Sequence, residues 1–422
     1  MNGIQARTEY VEALQLSLHG QPVGILAHYA GGKNILTFDP GYRALPAALR
    51  PTFTLTQLVN QAYLDQPHVH NLRLPPVLSN LLPEGALRAW MAAALRVHPD
   101  REFPLLAWAG NNLPGALVAT PVPMGGLPAW ALSAREQVEG IQIEVGRWAE
   151  KFSLAGVQMK FSSVRREGRF NIGTEIGEDS WIIKTPSTLH PAVPANEFSM
   201  MRLAQAVGVD IPDIALVPLA QLDQLPDIPL PGEEFAYAIR RFDRGEQGRV
   251  HTEDFAQVFE LYVHDKYGKK NYEQIGAILH RFSPEGLTDL QQMARRLLVN
   301  ILLANGDAHL KNWTLVYPDR RNPRLSPAYD IVCTQPYVNG EDSAALNMAR
   351  QKAWYDMQLT TFETWARRMD VSWSAIRVHL LDVLEQARER WPGMLKGLPM
   401  REDHRRLLRA HWQRLSPDFR IT

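Results

Sequence analysis

Asp307 and Asn312 stand five residues apart in the stretch NGDAHLKN (305–312), with His309 and Lys311 between them. A solvated loop satisfies itself with Ser, Gly or Lys. This one gathers a carboxylate, an imidazole, an ammonium and an amide within one turn of chain, directly before the β-rich WTLVY. Phosphoryl transfer from ATP calls for such groups. It needs a backbone cradle and a cation for the phosphates, a base for the attacking hydroxyl, and two oxygen ligands for Mg²⁺. Kinases carry these parts in a fixed order: flexible loop, strand lysine, helix glutamate, catalytic Asp with an Asn five residues on, then a metal Asp. Here SLAGVQ (153–158) would be the loop, Lys184 in WIIKTP the strand lysine and Glu197 the helix carboxylate. Asp307 would take the hydroxyl proton, and Asn312 with Asp330 of SPAYDI would hold the metal.

Taken singly, each residue has a plainer role. Asp307 to Asn312 could be a hydrogen-bonded turn after a helix. Lys184 beside Pro186 could be an edge lysine, Glu197 a carboxylate favoured by the helix dipole, and Asp330 a turn cap. The order, on elements of the right type, carries the inference. SLAGVQ departs from GxGxxG, since Gly156 is its only glycine.

The elements that must position these groups show in the periodicity. Leu14, Leu16 and Leu18 alternate with polar residues, and HGQP and GG punctuate the strands that follow, which predicts a β-meander. Residues 80–95 read as a helix with Pro83 near its start, and TPVPMGGLP (120–128) marks a domain boundary. Met200, Leu203, Ala204 and Val207 give one helix face over 196–207, closed by Gly208 in a left-handed conformation. FAYAIRRFDR (235–244) reads as a strand and 215–232 as a loop. Leu290, Met293, Leu297, Ile301 and Leu302 form an apolar stripe that ends at NGDAHLKN. The fold expected is α+β: a small α+β unit over 1–125, a β-rich kinase N-lobe over 140–250 and a helical C-lobe over 251–422.

Composition excludes other classes. Lys plus Arg equals Asp plus Glu at 45 each, so no global field draws nucleic acid or an anionic membrane. Cys333 is the only cysteine, which excludes an internal disulfide and a thiolate zinc site. MNGIQARTEY has no apolar signal region, and no run of 18 apolar residues occurs, so a cytoplasmic location is expected. His68 and His70 of HVH have metal-like spacing without a third ligand and read as a surface strand. KYGKK (266–270) reads as a solvated loop, and Cys333 as a small core residue.

FSLAGVQMK, WIIKTPS, PANEFSMMRLAQAVGVDIP, RRFDR, HTEDFAQ, NGDAHLKNW and SPAYDIV together resemble the HipA-type serine/threonine kinases, toxins of bacterial toxin–antitoxin modules. GQPVGIL, NLLPEGALR and NNLPGAL resemble the accessory domain of the full-length form. The resemblance implies ATP- and Mg²⁺-dependent phosphorylation of a protein Ser or Thr, with an aminoacyl-tRNA synthetase as the known class of target. It implies catalytic roles for Asp307 and His309 and metal-binding roles for Asn312 and Asp330. Nucleotide contacts would come from Ala155, Gly156 and Val157 of the loop, Lys184, Glu197, Lys311, and Arg241, Phe242 and Asp243 of RFDR. Ser153 would be the autophosphorylated loop serine. A helix-turn-helix, HipB-like antitoxin is the implied partner, bringing most of the DNA contact. Arg240 stands where relatives commonly have an acidic residue, and Met159 where Glu is frequent. An antitoxin-bound co-repressor with a nucleotide socket and little catalysis is the competing expectation, and a kinase of lipids or small molecules a third. A phosphate on Ser153 would repel those of ATP. Ser153→Asp is therefore expected to weaken ATP binding in calorimetry, and an unchanged dissociation constant would rule out loop control.

Overall fold

Alternation of apolar and polar residues builds the first sheet. The structure, a computed structural model, describes residues 7–133, 137–145, 160–166, 169–172, 180–225 and 230–422. Strands β1 (Ala13–Leu18), β2 (Gln21–Tyr29), β3 (Lys33–Phe38), β4 (His68–Asn71) and β5 (Leu117–Pro121) pair in the order β4-β3-β2-β1-β5. Leu14, Leu16 and Leu18 are fully buried, as the alternation requires. Helices α1 (Gly85–Ala94) and α2 (Glu102–Ala109) belong to this unit. The helix expected from residue 80 begins only at Gly85, because Pro83 disfavours helical geometry in the residue before it. Arg7–Val11 pairs antiparallel with Ile141–Val145, so chain beyond the Pro/Gly segment returns to the N-terminal unit.

The next sheet carries β6 (Lys160–Arg166), β7 (Arg169–Ile172), β8 (Trp181–Lys184), β9 (Ile214–Pro218), β10 (Leu222–Asp223) and β11 (Phe235–Arg240), ordered β9-β11-β8-β6-β7-β10. The 215–232 region is therefore not all loop. β9 is an edge strand, where Pro218 costs no ladder bond. Helix α3 (Val193–Ala206) presses Met200, Leu203, Ala204 and Val207 into the core beside Tyr237 and Ile239 of β11. Gly208 closes it at φ +79°.

The helical lobe contains α4 (Tyr272–Phe282), α5 (Gly286–Leu302), α6 (Leu359–Arg368), α7 (Trp373–Gly397) and α8 (Glu402–Arg414). The whole stripe foreseen on α5 is buried. A small sheet of β12 (His251–Asp254), which precedes α5, with β13 (Thr314–Tyr317) and β14 (Arg324–Leu325), which follow it, shares the core of α5.

The N-terminal unit is fused to both lobes. Its apolar core is continuous with Phe161, Phe170, Trp181, Ile183 and Ala238 of the second sheet. Against the helical lobe, Thr52 N–H donates to Arg320 O (2.8 Å), Gln257 Nε2 donates to Val77 O (2.7 Å), and Leu55 N–H donates to Glu253 Oε2 (2.8 Å). Glu253 is fully buried and also accepts from the Tyr317 hydroxyl. Burial outweighs these donors and pushes its carboxyl from an ordinary 4.5 up to about 7.

This raised value has a sign. Below pH 4.5 the group is protonated both folded and unfolded, and its contribution is complete. As pH climbs to 7 the unfolded chain releases the proton first, and roughly 3 kcal/mol is lost. Glu253→Gln is expected to have a thermal midpoint that gains on the wild type between pH 5 and 7.5. A pH-independent gap between the two would contradict the assignment.

Candidate active site

Lys184 closes β8 on the inner side of the second sheet and is only 3 % exposed. A lone buried ammonium is prohibitively costly, so carboxylates must meet it. Two do. Its Nζ donates to Glu197 Oε1 of α3 (2.5 Å) and to Asp330 Oδ1. Burial alone would lower the lysine's pKa, but Asp330 and Glu197 carry it above the ordinary value. Burial pushes the Glu197 carboxyl up in spite of Lys184. Burial also works against ionised Asp330, yet Lys160 and Lys184 more than offset it and hold that carboxyl well below the usual range. Glu197 sits past the first turn of α3, so the lysine rather than the helix dipole accounts for it.

Sequence reasoning missed Lys160, whose Nζ lies 3.3 Å from Asp330 Oδ2. β6 and β8 place Lys160 and Lys184 directly opposite one another. Like charges in that register repel, and Asp330 answers both, one oxygen to each. Asp330 itself adopts φ +53°, a left-handed conformation that Asp tolerates better than most residues and that often marks a functional position.

The Asp307–Asn312 turn is built at the other side of the same segment. Asn305, also missed, caps the approach: its Nδ2 donates to Asn300 Oδ1 (3.0 Å) and its Oδ1 accepts from Asp307 N–H (3.1 Å). Gly306 N–H donates to Thr334 Oγ1 (2.8 Å), and any Cβ at Gly306 would collide with the Glu341 carboxylate. Asn312 Nδ2 donates to Asp307 O (2.8 Å), which turns the amide oxygen into the spare group of that side chain. The Asp307 carboxylate is half exposed and accepts from the Tyr267 hydroxyl. KYGKK is therefore not simply a solvated loop.

Residues 329–334 join the two halves. Tyr329 donates to Lys311 O (2.7 Å), one residue before Asn312, and also meets Thr314 Oγ1 (2.5 Å). Cys333 exchanges two backbone hydrogen bonds with the Asn196 side chain (2.9 and 3.0 Å), beside Glu197. Thr334 binds Ala304 O and Gly306 N. Cys333 is fully buried, with its thiol pushed up to about 12 by burial, as befits a core residue. Asp330 and the Asp307–Asn312 turn thus belong to one bonded region.

Other residues expected near the nucleotide are engaged by groups of the protein. Asp243 is buried under Arg241 (2.8 and 2.9 Å), Arg244 (2.9 Å) and Gly115 N–H (2.7 Å), which engage its oxygens and tie the N-terminal unit to the sheet. Arg241 binds Asp243 and Ser162 Oγ. Lys311 is engaged by Asn80 O (2.8 Å), Asp254 (2.9 Å) and Glu84 (3.5 Å). His309 is 5 % exposed, its Nε2 lies 3.9 Å from Asp307, and its ring packs edge-on against Tyr267, so it supports the turn; burial lowers its pKa. Phe242 faces Tyr329 at 5.6 Å, next to Asp330. Arg240 makes an exposed pair with Asp213 (3.3 Å). Ser153, Ala155, Gly156, Val157 and Met159 lie outside the described residues.

Could the region hold Mg²⁺ and ATP? Among the described residues no group of three or more His, Cys, Asp or Glu is placed to hold a metal. A closed protein cage is not required, because Mg²⁺ favours one or two protein oxygens completed by phosphates and water. Asp330, held ionised, and the Asn312 amide are hard oxygen donors of that kind, and Lys184 is a buried cation paired with Glu197 and Asp330. The residues fit.

A sheet lobe whose lysine meets a helix glutamate, joined to a helical lobe bearing an Asp–Asn turn, is a protein-kinase-like plan. Residues 14–120 match the model of the HipA N-terminal domain, and residues 152–391 that of the HipA-like C-terminal domain. The chain belongs to the HipA family of toxin-like kinases. It is 39 % identical over 394 residues to a protein of Sinorhizobium fredii that carries a kinase name, Y4dM, covering 92 % of this chain and 94 % of that one. To the serine/threonine-protein kinase toxin HipA of Shewanella oneidensis it is 28 % identical over 300 residues, 64 % of this chain and 65 % of the relative. It shares the fold of a solved Shewanella oneidensis chain from a complex of HipA, HipB and operator DNA, with TM-score 0.70 and 20 % identity over 95 % of this chain and 97 % of that one. No helix among the described residues is long and apolar enough to cross a membrane.

Removing the shared ammonium leaves Glu197 buried without its partner. Lys184→Met is expected to cost about 3–5 kcal/mol in unfolding experiments, and Glu197→Gln distinctly less, because Asp330 still answers the lysine. A Lys184→Met protein as stable as wild type would contradict the pairing.

Proposed function

We propose that the chain is an ATP- and Mg²⁺-dependent serine/threonine protein kinase acting as the toxin of a toxin–antitoxin pair. The observation that carries this is Lys184 shared between Glu197 and Asp330, with Asp330 bonded through its own segment to the Asp307–Asn312 turn. ATP with Mg²⁺ would supply the activated phosphoryl group; Asp330 and Asn312 would hold the metal and Lys184 the phosphates. Asp307 would orient the acceptor hydroxyl and take its proton. Its carboxylate already accepts a hydrogen bond from a hydroxyl, that of Tyr267, and half of it faces solvent where an acceptor can approach. Positioning rather than covalent chemistry is the protein's contribution, which suits a turn braced by Asn305, Thr334 and Asn312.

The family supports the finer assignments. An aminoacyl-tRNA synthetase is proposed as target, and Ser153 as a site of autophosphorylation. A HipB-like antitoxin is proposed as partner, since the Shewanella neighbour was solved with HipB and operator DNA. Balanced charge fits DNA phosphate contacts made mainly by that partner.

Incubation with radiolabelled ATP and Mg²⁺, followed by mass spectrometry of the Ser153 peptide, tests the proposal. Asp307→Ala and Asp330→Ala are expected to reduce transfer by about 10³-fold or more while the fold persists. Transfer retained by either variant would overturn its assigned role, and a wild type that binds ATP without transferring phosphate would favour the co-repressor.

A further inference from the structure

We propose that Glu84, in the N-terminal unit, is a positioning residue for the catalytic turn, which makes that unit a working part of the transfer site. The inference rests on the kinase assignment of Asp307. Residues 80–84 form a non-helical strip whose polar groups face the helical lobe. Asn80 Nδ2 donates to Leu261 O (2.8 Å), while Asn80 O and Oδ1 accept from Lys311 Nζ (2.8 and 3.3 Å). Glu84 lies between two lysines. Its Oε2 accepts from Lys266 Nζ (2.9 Å), and its Oε1 is 3.5 Å from Lys311 Nζ.

Each lysine leads to the turn by a separate route. Lys311 is part of the turn itself, between His309 and Asn312. Lys266 accepts Leu310 N–H at its carbonyl (3.3 Å), and its neighbour Tyr267 donates to the Asp307 carboxylate and packs on His309 at 5.0 Å between ring centres. Glu84 is thus the carboxylate that lies between the two lysines, while Lys311 is held from its other side by Asp254 (2.9 Å). Without Glu84, Lys266 and Lys311 repel, and the Lys266–Tyr267 segment and the 307–312 turn are pushed apart. Two lysines also hold the Glu84 carboxyl below its ordinary value although burial opposes this.

A mere staple between domains would lower overall stability and leave the chemistry intact in whatever protein stays folded. A positioning role has a different signature. Glu84→Gln keeps the shape and a hydrogen bond but loses the charge. In the full-length chain, single-turnover ³²P incorporation from ATP and Mg²⁺ is expected to fall about 10–100-fold at saturation, with half-saturating ATP changed less than about twofold. Backbone amides of 305–312 are expected to exchange hydrogen about fivefold faster while those of α5 are unchanged. Glu84→Asp, which restores the charge on a shorter arm, should recover part of both. Unchanged saturating rate and unchanged exchange in Glu84→Gln would overturn the proposal, as would a loss that tracks the thermal midpoint alone. If the wild type transfers no phosphate, the kinase assignment fails, and exchange at 305–312 still decides whether Glu84 holds the turn.

Discussion

A single ammonium group must satisfy two carboxylates in a place water scarcely reaches, and the rest of the site is arranged around that constraint. Lys184 Nζ links a strand, a helix and the segment that follows the small C-lobe sheet. A buried ion pair contributes little net stability compared with apolar packing, so its value lies in fixing where three elements meet. It also leaves a cation whose partners can be exchanged. An anion arriving from solvent can compete for Lys184 against Asp330, which is 23 % exposed, more readily than against Glu197, which is 1 % exposed.

Residues 329–334 then translate that meeting point into the geometry of the turn. Tyr329, Cys333 and Thr334 bond respectively to the chain before Asn312, to the residue before Glu197 and to the residue before Asp307. Each of these three contacts is made through a residue next to Asn312, Glu197 or Asp307 and not through those side chains themselves. The N-terminal unit closes the assembly from outside, with Asn80 and Glu84 on the lysines that flank the turn and Gly115 on Asp243.

Much of this was legible in the sequence. The alternation of Leu14, Leu16 and Leu18 and the stripe of α5 are products of burial, which leaves a period in the chain, and both elements formed as expected. Glu197 stands three and seven residues before Met200 and Ala204, on the buried side of its helix, and it faces Lys184. What stayed hidden has no period. Asn196, Asn305, Tyr267 and Thr334 act through a few hydrogen bonds each, a role that many Asn, Thr and Tyr residues play without consequence. Lys160 acquires meaning only from the register that sets it against Lys184. The protein partners of Asp243 and Lys311 were hidden too: Asp243 meets its near neighbours Arg241 and Arg244, and Lys311 meets Asn80 and Asp254, which lie far away in sequence. Pro-rich composition hid the edge strand at 214–218, where proline costs nothing.

Under the proposed function, Lys184 exchanges one carboxylate for a phosphate while keeping the other. A crystal structure of the full chain with Mg²⁺ and a non-hydrolysable ATP analogue tests it most directly. The account predicts Lys184 Nζ within hydrogen-bond distance of a phosphate oxygen, still paired to Glu197, with Asp330 released. A nucleotide bound elsewhere, over an intact Lys184–Asp330 pair, would contradict it.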